Sequence, residues 1–214
     1  MYIVQRPGGG GNAGALVGPD GVLLVDAMYA ALADRLVAAV RQIRDVPIRF
    51  LVNTHVHPDH IGGNLSPQRR GRACLSRAAH TDGDSFVHFP LSNVLHLGDV
   101  FRTSSYPITD VYNGGSPTGT VAAADLAIQL AGPDTKIIPG HGLAIVGRGA
   151  VIEFRNMLVD IRDRVRTMIA EQKTLAEVMA ARPTASYDAR WGQEATWTAT
   201  DFIPVVYHEL GGLR

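Results

Sequence analysis

The stretch Thr54-His55-Val56-His57-Pro58-Asp59-His60-Ile61-Gly62-Gly63-Asn64 decides how this chain is read. Three histidines and an aspartate fall within six residues, directly after the run IRFLVN at 48–53, whose β-branched and apolar residues read as a strand. The chemistry points to metal. Neutral imidazole is a preferred nitrogen donor for zinc, and a carboxylate adds a compact anionic oxygen. His55 and His57 are two apart, so in an extended turn they point the same way. Asp59 and His60 follow a proline-fixed bend and can face a second position nearby. One short loop can therefore serve two metals.

Working outward, the flanking pattern alternates strands and helices. Residues 1–5 read as a short strand and PGGGGN at 7–12 as a loop. AGALVG at 13–18 and GVLLVD at 21–26 read as strands joined by Pro19-Asp20-Gly21. Leu32, Leu36, Val40 and Ile43 recur at helical spacing across 29–43, and Pro47 closes that helix. Downstream, 65–79 shows no clear period and reads as loop or one short helix. DSFVHF and NVLHLGD read as strands around a turn at 90–93. A helix over 118–131 leads into the strand TKIIPGHG, and helices follow at 150–172, 174–181 and near 198–210. GVLLVD, helix, RFLVNTH echoes NVLHLGD, helix, TKIIPGH. Such βαβ units imply two α/β halves, with the strand-end Asp and His residues along one edge. Gly9 to Gly14 formally fits GxGxxG, but a strand and not a helix follows it, so it is no dinucleotide fingerprint.

Further ligands must come from elsewhere in the chain. His80 opens HTDGD before a strand, Asp99 ends NVLHLGD, and His141 ends KIIPGHG between Gly140 and Gly142, which let the backbone turn tightly. His88 and His96 lie inside strand patterns and read as structural. His208 reads as structural or exposed, and Trp191 and Trp197 as core or dimer surface.

THVHPDHIGGN, AHTDGDS, VLHLGD and PGHG, in that order, resemble the metallo-β-lactamase superfamily. The resemblance implies an α/β fold, the four-layer αββα sandwich, and a one- or two-zinc hydrolytic site. It implies that His55, His57 and His80 hold one zinc, that Asp59, His60 and His141 hold another, and that Asp99 bridges them. Iron or manganese can occupy a His/Asp site of this type. An aspartate at 99 is similar to the glyoxalase II, lactonase and arylsulfatase types, and the only cysteine, Cys74, is not at the thiolate position of zinc β-lactamases. The implied activity is metal-assisted hydrolysis of an ester, thioester, lactone or lactam carbonyl, β-lactamase activity among the options. Asp59 is the catalytic group that holds the nucleophile and shuttles its proton. Asp26 is read as orienting a ligand histidine by accepting its ring N–H, with Asp84 a weaker candidate for the same role.

The family places a long segment between HxHxDH and the next histidine, whereas His60 and His80 are twenty apart. Twenty extended residues reach up to about 70 Å, so the site itself is not forbidden. Lost strands would shorten the N-terminal half, expose a ladder edge and uncover apolar faces. The alternative reading is a non-catalytic metal- or partner-binding remnant. Residues 1–214 read as one domain with C-terminal helices from about 150. Twenty basic and twenty acidic residues balance, which argues against a nucleic-acid binder. No run of about 18 apolar residues suits a membrane. A small-molecule substrate is expected, with a homodimer as an option. The first residues lack a leader pattern, and the compartment, cytoplasm or periplasm, stays open.

Overall fold

The computed structural model describes residues 1–5, 11–64, 74–75, 78–142 and 145–212. The N-terminal half holds β1 (Tyr2–Val4), β2 (Ala13–Gly18), β3 (Gly21–Val25), α1 (Ala33–Ile43), β4 (Ile48–Val52) and the one-turn α2 (Pro58–Ile61). The second half holds β5 (Cys74–Leu75), β6 (Ser85–Phe89), β7 (Val94–His96), α3 (Pro117–Leu130), β8 (Lys136–Ile138), α4 (Arg148–Ala170), α5 (Leu175–Ala180), α6 (Asp188–Trp191) and α7 (Ala199–Glu209).

The strands form two sheets, ordered β1-β2-β3-β4 and β5-β6-β7-β8. In each, two antiparallel pairs are followed by one parallel pair. β3 pairs with β4 in register Leu24↔Leu51 and Val25↔Val52. β7 pairs with β8 in register Leu95↔Ile137 and His96↔Ile138. The parallel pairs need crossovers, and α1 and α3 supply them. The echo between GVLLVD and NVLHLGD is therefore repeated in topology.

Three apolar clusters set the layers. Leu36 and Val40 of α1 pack on Ala13, Ala15, Val22 and Leu24 of the first sheet. Val25 and Val52 meet Val87 between the two sheets. Phe86, Leu95 and Ile137 of the second sheet lie under α3, α4 and α7 in the largest cluster, with Phe154, Met157, Ile161, Phe202 and Trp191. Helices outside and sheets inside give the αββα order. Local sequence fixes the helix ends. Ser116 caps α3, with Pro117 in its first turn, and Thr198 with Asp201 forms a capping box at α7. No helix among the described residues is long and apolar enough to cross a membrane.

Two boundaries differ from the sequence reading. The strand over 93–99 stops at His96, and Asp99 sits in a 3-10 turn at Gly98–Val100. His60 lies on α2 rather than in a loop. Trp191 is buried in the core, the first of the two places the sequence reading gave it. The stretch 65–73 and 76–77, read above as loop, lies outside the described residues, as do 6–10 of the glycine loop. Among the described residues β4 is an edge, pairing only with β3. Phe50 on it is 44% exposed. An apolar groove lined by Leu36, Val37, Val46, Ile48 and Leu51 runs between β4 and α1.

Candidate metal centre

The site forms where the carboxyl ends of the two parallel strand pairs meet. The loop after β4 carries His55 and His57, α2 carries Asp59 and His60, and the segment before β6 carries His80. Asp99 follows β7 and His141 follows β8. All seven side chains predicted from sequence come together. Ligand atoms of His55, His57 and His80 lie within 4.8 Å of one another, as do those of His55, His60 and Asp99, and those of Asp59, His60 and His141. Each of these groups could hold a metal ion. The rings of His55 and His57 meet edge to face at 4.9 Å, as two side chains on the same side of an extended turn should.

The far side of each inner ring is tied down. His60 Nδ1 donates to Asp26 Oδ2 at 2.7 Å. Asp26 also accepts from Thr54 N at 2.7 Å and Thr54 Oγ1 at 2.8 Å. With its hydroxyl hydrogen spent on Asp26, Thr54 Oγ1 is left to accept from His55 Nδ1, 3.1 Å away. His57 Nε2 donates to Asp110 Oδ2 at 2.8 Å, and His80 Nδ1 to the Ile108 carbonyl at 2.6 Å. These bonds choose the tautomers. They leave His55 Nε2, His57 Nδ1, His60 Nε2 and His80 Nε2 facing inward.

Among the described residues, five buried side-chain atoms have no hydrogen-bond partner. Three of them, His55 Nε2, His60 Nε2 and Asp99 Oδ1, belong to this cluster. A buried polar atom without a partner is costly. Two of them, His60 Nε2 and Asp99 Oδ1, stand 3.1 Å apart as a charge pair without hydrogen-bond geometry. Three such atoms converging from three elements fit a cation, and nitrogen with carboxylate oxygen suits zinc or iron.

The backbone is shaped for this approach. Asp26 adopts φ +62°, a left-handed conformation uncommon outside glycine, while fully buried. Its three hydrogen bonds offset that strain. A Cβ at Gly140 would stand 2.0 Å from Asp99 Oδ1, so only glycine lets the PGHG turn lie against that carboxylate. Asn12, at the end of the glycine loop, donates its N–H to the Gly140 carbonyl and its side-chain amide to the Pro139 carbonyl, both at 2.8 Å.

The metal-free electrostatics are those of paired charges. Burial opposes charging of Asp99, but His60 and His141 hold its carboxyl well below the usual range. Burial likewise opposes His60 and His141, yet Asp99 and Asp59 lift both, and Asp26 lifts His60 further. His55 behaves oppositely. Burial pushes it down to about 3, so it is a neutral donor at any physiological pH. Exposure is graded, with His60 and Asp99 buried and Asp59, His57 and His141 opening toward solvent.

Asp84 does not orient a ring. It accepts from the backbone N–H groups of His80 and Thr81, so it shapes the loop under His80. His96 is buried, with Nδ1 accepting from Gly98 N, and His208 is exposed beside Tyr207. Sequence reading missed Thr54, Asp110 and Arg102. Arg102 donates to Asp99 Oδ2 at 3.0 Å. Thr54 and Asp110 had no local signal, and Arg102 had only its place three residues after Asp99.

Residues 6–75 match the family model described as the metallo-beta-lactamase superfamily. Curated proteins gave no match. Solved structures did. A metallo-beta-lactamase from Pontibacter korlensis is 13% identical with TM-score 0.61, covering 74% of this chain and 93% of its own. The metallo-beta-lactamase FIM-1 from Pseudomonas aeruginosa, in a mono-zinc form, is 18% identical with TM-score 0.54, over 69% and 82%. A protein in a di-iron-bound form is 17% identical with TM-score 0.57, over 72% and 98%. The two βαβ halves, the convergent His and Asp side chains and these likenesses agree: the chain has the metallo-β-lactamase fold, and its N-terminal third carries the sequence signature of that superfamily.

Proposed function

We propose that this protein is a metal-dependent hydrolase acting on the carbonyl of a small ester, thioester, lactone or lactam. The observation that carries the reading is the set of buried, unpartnered ligand atoms on His55, His60 and Asp99. The reading assigns one metal to His55, His57 and His80 and a second to Asp59, His60 and His141, with Asp99 between them. Zinc is the metal proposed. Its support is the nitrogen-rich donor set and the mono-zinc form of one structural neighbour, while another neighbour holds two irons.

When bound, the metal supplies Lewis acidity and an activated water. The chain supplies the rest. Asp26, Thr54, Asp110 and the Ile108 carbonyl hold the imidazoles in one tautomer and orientation. Asp59 Oδ2 lies 3.1 Å from His141 Nε2 and 3.5 Å from His60 Nε2, at the more open side of the cluster. That carboxylate is placed to take a proton from the attacking water and pass it toward the leaving group.

A second reading, a metal- or partner-binding remnant, draws support from Phe50 on the exposed β4 edge. Both readings take residues 1–214 as one domain, and a homodimer through that edge belongs to the second as naturally as to the first. Metal analysis of the purified protein, with hydrolysis assays on a chromogenic lactam and a thioester, separates them. Bound metal with turnover supports the hydrolase. Metal without turnover on any carbonyl substrate supports the remnant. Folded protein that takes up no metal overturns the hydrolase and leaves the partner-binding remnant.

A further inference from the structure

Arg102 is 4% exposed, and arginine is almost never buried unless paired. Each nitrogen of its guanidinium has an acceptor. Nη1 donates to Asp99 Oδ2 at 3.0 Å, Nη2 to Glu194 Oε2 at 2.8 Å and Nε to Ser105 Oγ at 2.9 Å. The planar fork thus spans two carboxylates from distant parts of the chain, with Glu194 on the connection between α6 and α7. The backbone of Arg102 is also bridged to His141, and Thr103 N donates to the His141 carbonyl at 3.3 Å. Burying an ion pair rarely gains stability over apolar packing of the same volume. What this pair does achieve is an asymmetry in Asp99. Oδ2 is engaged by Arg102 and also lies 3.1 Å from His141 Nε2 and 3.8 Å from His80 Nε2, whereas Oδ1 faces His60 Nε2 at 3.1 Å and has no hydrogen-bond partner.

We propose that Arg102 is a positioning residue for the metal centre: it holds Oδ2 of Asp99 so that Oδ1 is the oxygen offered to metal, and Glu194 fixes the guanidinium in turn. This rests on the metal reading above and adds to it a link from the C-terminal helices to the ligand set. In this reading Arg102 acts on the metal centre only through Asp99. It acts through the rotation of one carboxylate, which Gly140 allows to lie close against the His141 turn. A carboxylate freed from the fork can turn and present both oxygens, and the geometry at that position then changes with it.

Cobalt(II) titration of the whole protein tests this, because its visible spectrum reports ligand geometry and chelator competition reports affinity. Residues that orient metal ligands typically contribute about 10–100-fold to affinity. Arg102→Met should weaken the more weakly held cobalt by about that factor and alter its visible bands. Glu194→Gln leaves the Asp99 contact in place and should give a smaller loss in the same direction. Arg102→Lys, which restores charge without the fork, should recover only part of the affinity. Wild-type affinity and spectrum in Arg102→Met overturn the proposal. Should that variant not fold, wild-type affinity and spectrum in both Arg102→Lys and Glu194→Gln overturn it equally. Wild-type protein that takes up no cobalt overturns the metal reading, and this inference with it. Cobalt uptake that is insensitive to Arg102 overturns the inference alone.

Discussion

The two βαβ halves share one topology and use it differently. In the first, β3 ends at Asp26, and all of that residue's bonding capacity faces protein, toward Thr54 and His60. In the second, β7 leads to Asp99, whose Oδ1 is left unpartnered beside His60. Aspartates that follow corresponding strands of the two halves thus serve as a support and as a candidate ligand. The halves also differ in packing. The second buries Phe86, Leu95 and Ile137 beneath three helices, whereas among the described residues the first packs under α1 alone and leaves a groove beside β4. The well-packed half holds Asp99 and His141 firmly. The thinner half carries the larger share of the histidines on a short loop, and depends on Asp26 and Thr54 to fix them.

The largest effect that would break this comparison lies at Asp99. Asp99→Ala should abolish metal uptake at its position and cut turnover by at least about 100-fold, and His57→Ala should act similarly. Gly140→Ala should approach the same loss, because its Cβ would stand 2.0 Å from Asp99 Oδ1. Metal analysis and kinetics on each variant check this, and full metal content in Asp99→Ala would remove the ligand role from Asp99.

Asp26 should come next. Asp26→Ala leaves Thr54 and His60 Nδ1 unpaired, so about 1–3 kcal/mol of stability should be lost in denaturant titrations. Metal affinity should fall about 10–100-fold while stoichiometry is kept. Lost stoichiometry would make Asp26 a ligand after all. Asp110→Asn should act in the same way on His57, with a smaller stability cost because Asp110 is only half-buried.

The pH dependence has two signs. His60 and His141 carry raised pKa values in the metal-free protein, so metal must displace their protons, and apparent affinity should fall as pH falls, roughly tenfold per unit for each proton displaced. Their ion pairs with Asp99 stabilise the metal-free fold in the opposite sense at the upper end. The histidine contribution is present below about pH 6.5 and lost as pH rises through the raised values. The depressed Asp99 contributes above its ordinary carboxylate range and loses that as pH falls through its lowered value. Melting curves with and without metal across pH 5–9 should therefore diverge most at the alkaline end. The smallest effect should be Phe50→Ser, within about 0.5 kcal/mol for a residue on an open edge. A larger loss would show that something covers β4, and sedimentation would tell whether it is a second copy.

Much of this was legible in the sequence. β2, β3, α1 and β4 follow from apolar period and turn residues, which are local. The seven candidate ligands follow from residue type and from their places at strand ends. Asp84 was misread because its neighbours in sequence could not show that its carboxylate bends back to the backbone of His80. Asp110 and Thr54 went unseen because a lone aspartate three residues after a proline, or a threonine before a histidine, has many uses. Arg102 looked like one arginine among many.

What the sequence by itself determined is the inventory: two strand–helix–strand units and a set of imidazoles and carboxylates suited to one kind of cation. Only the tertiary structure decided which nitrogen of each ring faces inward, which oxygen of Asp99 is free, and that Glu194 reaches Asp99 through Arg102. The reason is physical. Periodicity and donor chemistry are properties of neighbouring residues, whereas a tautomer or a carboxylate rotation is set by a partner 28, 53 or 92 residues away, once burial has removed water as the alternative.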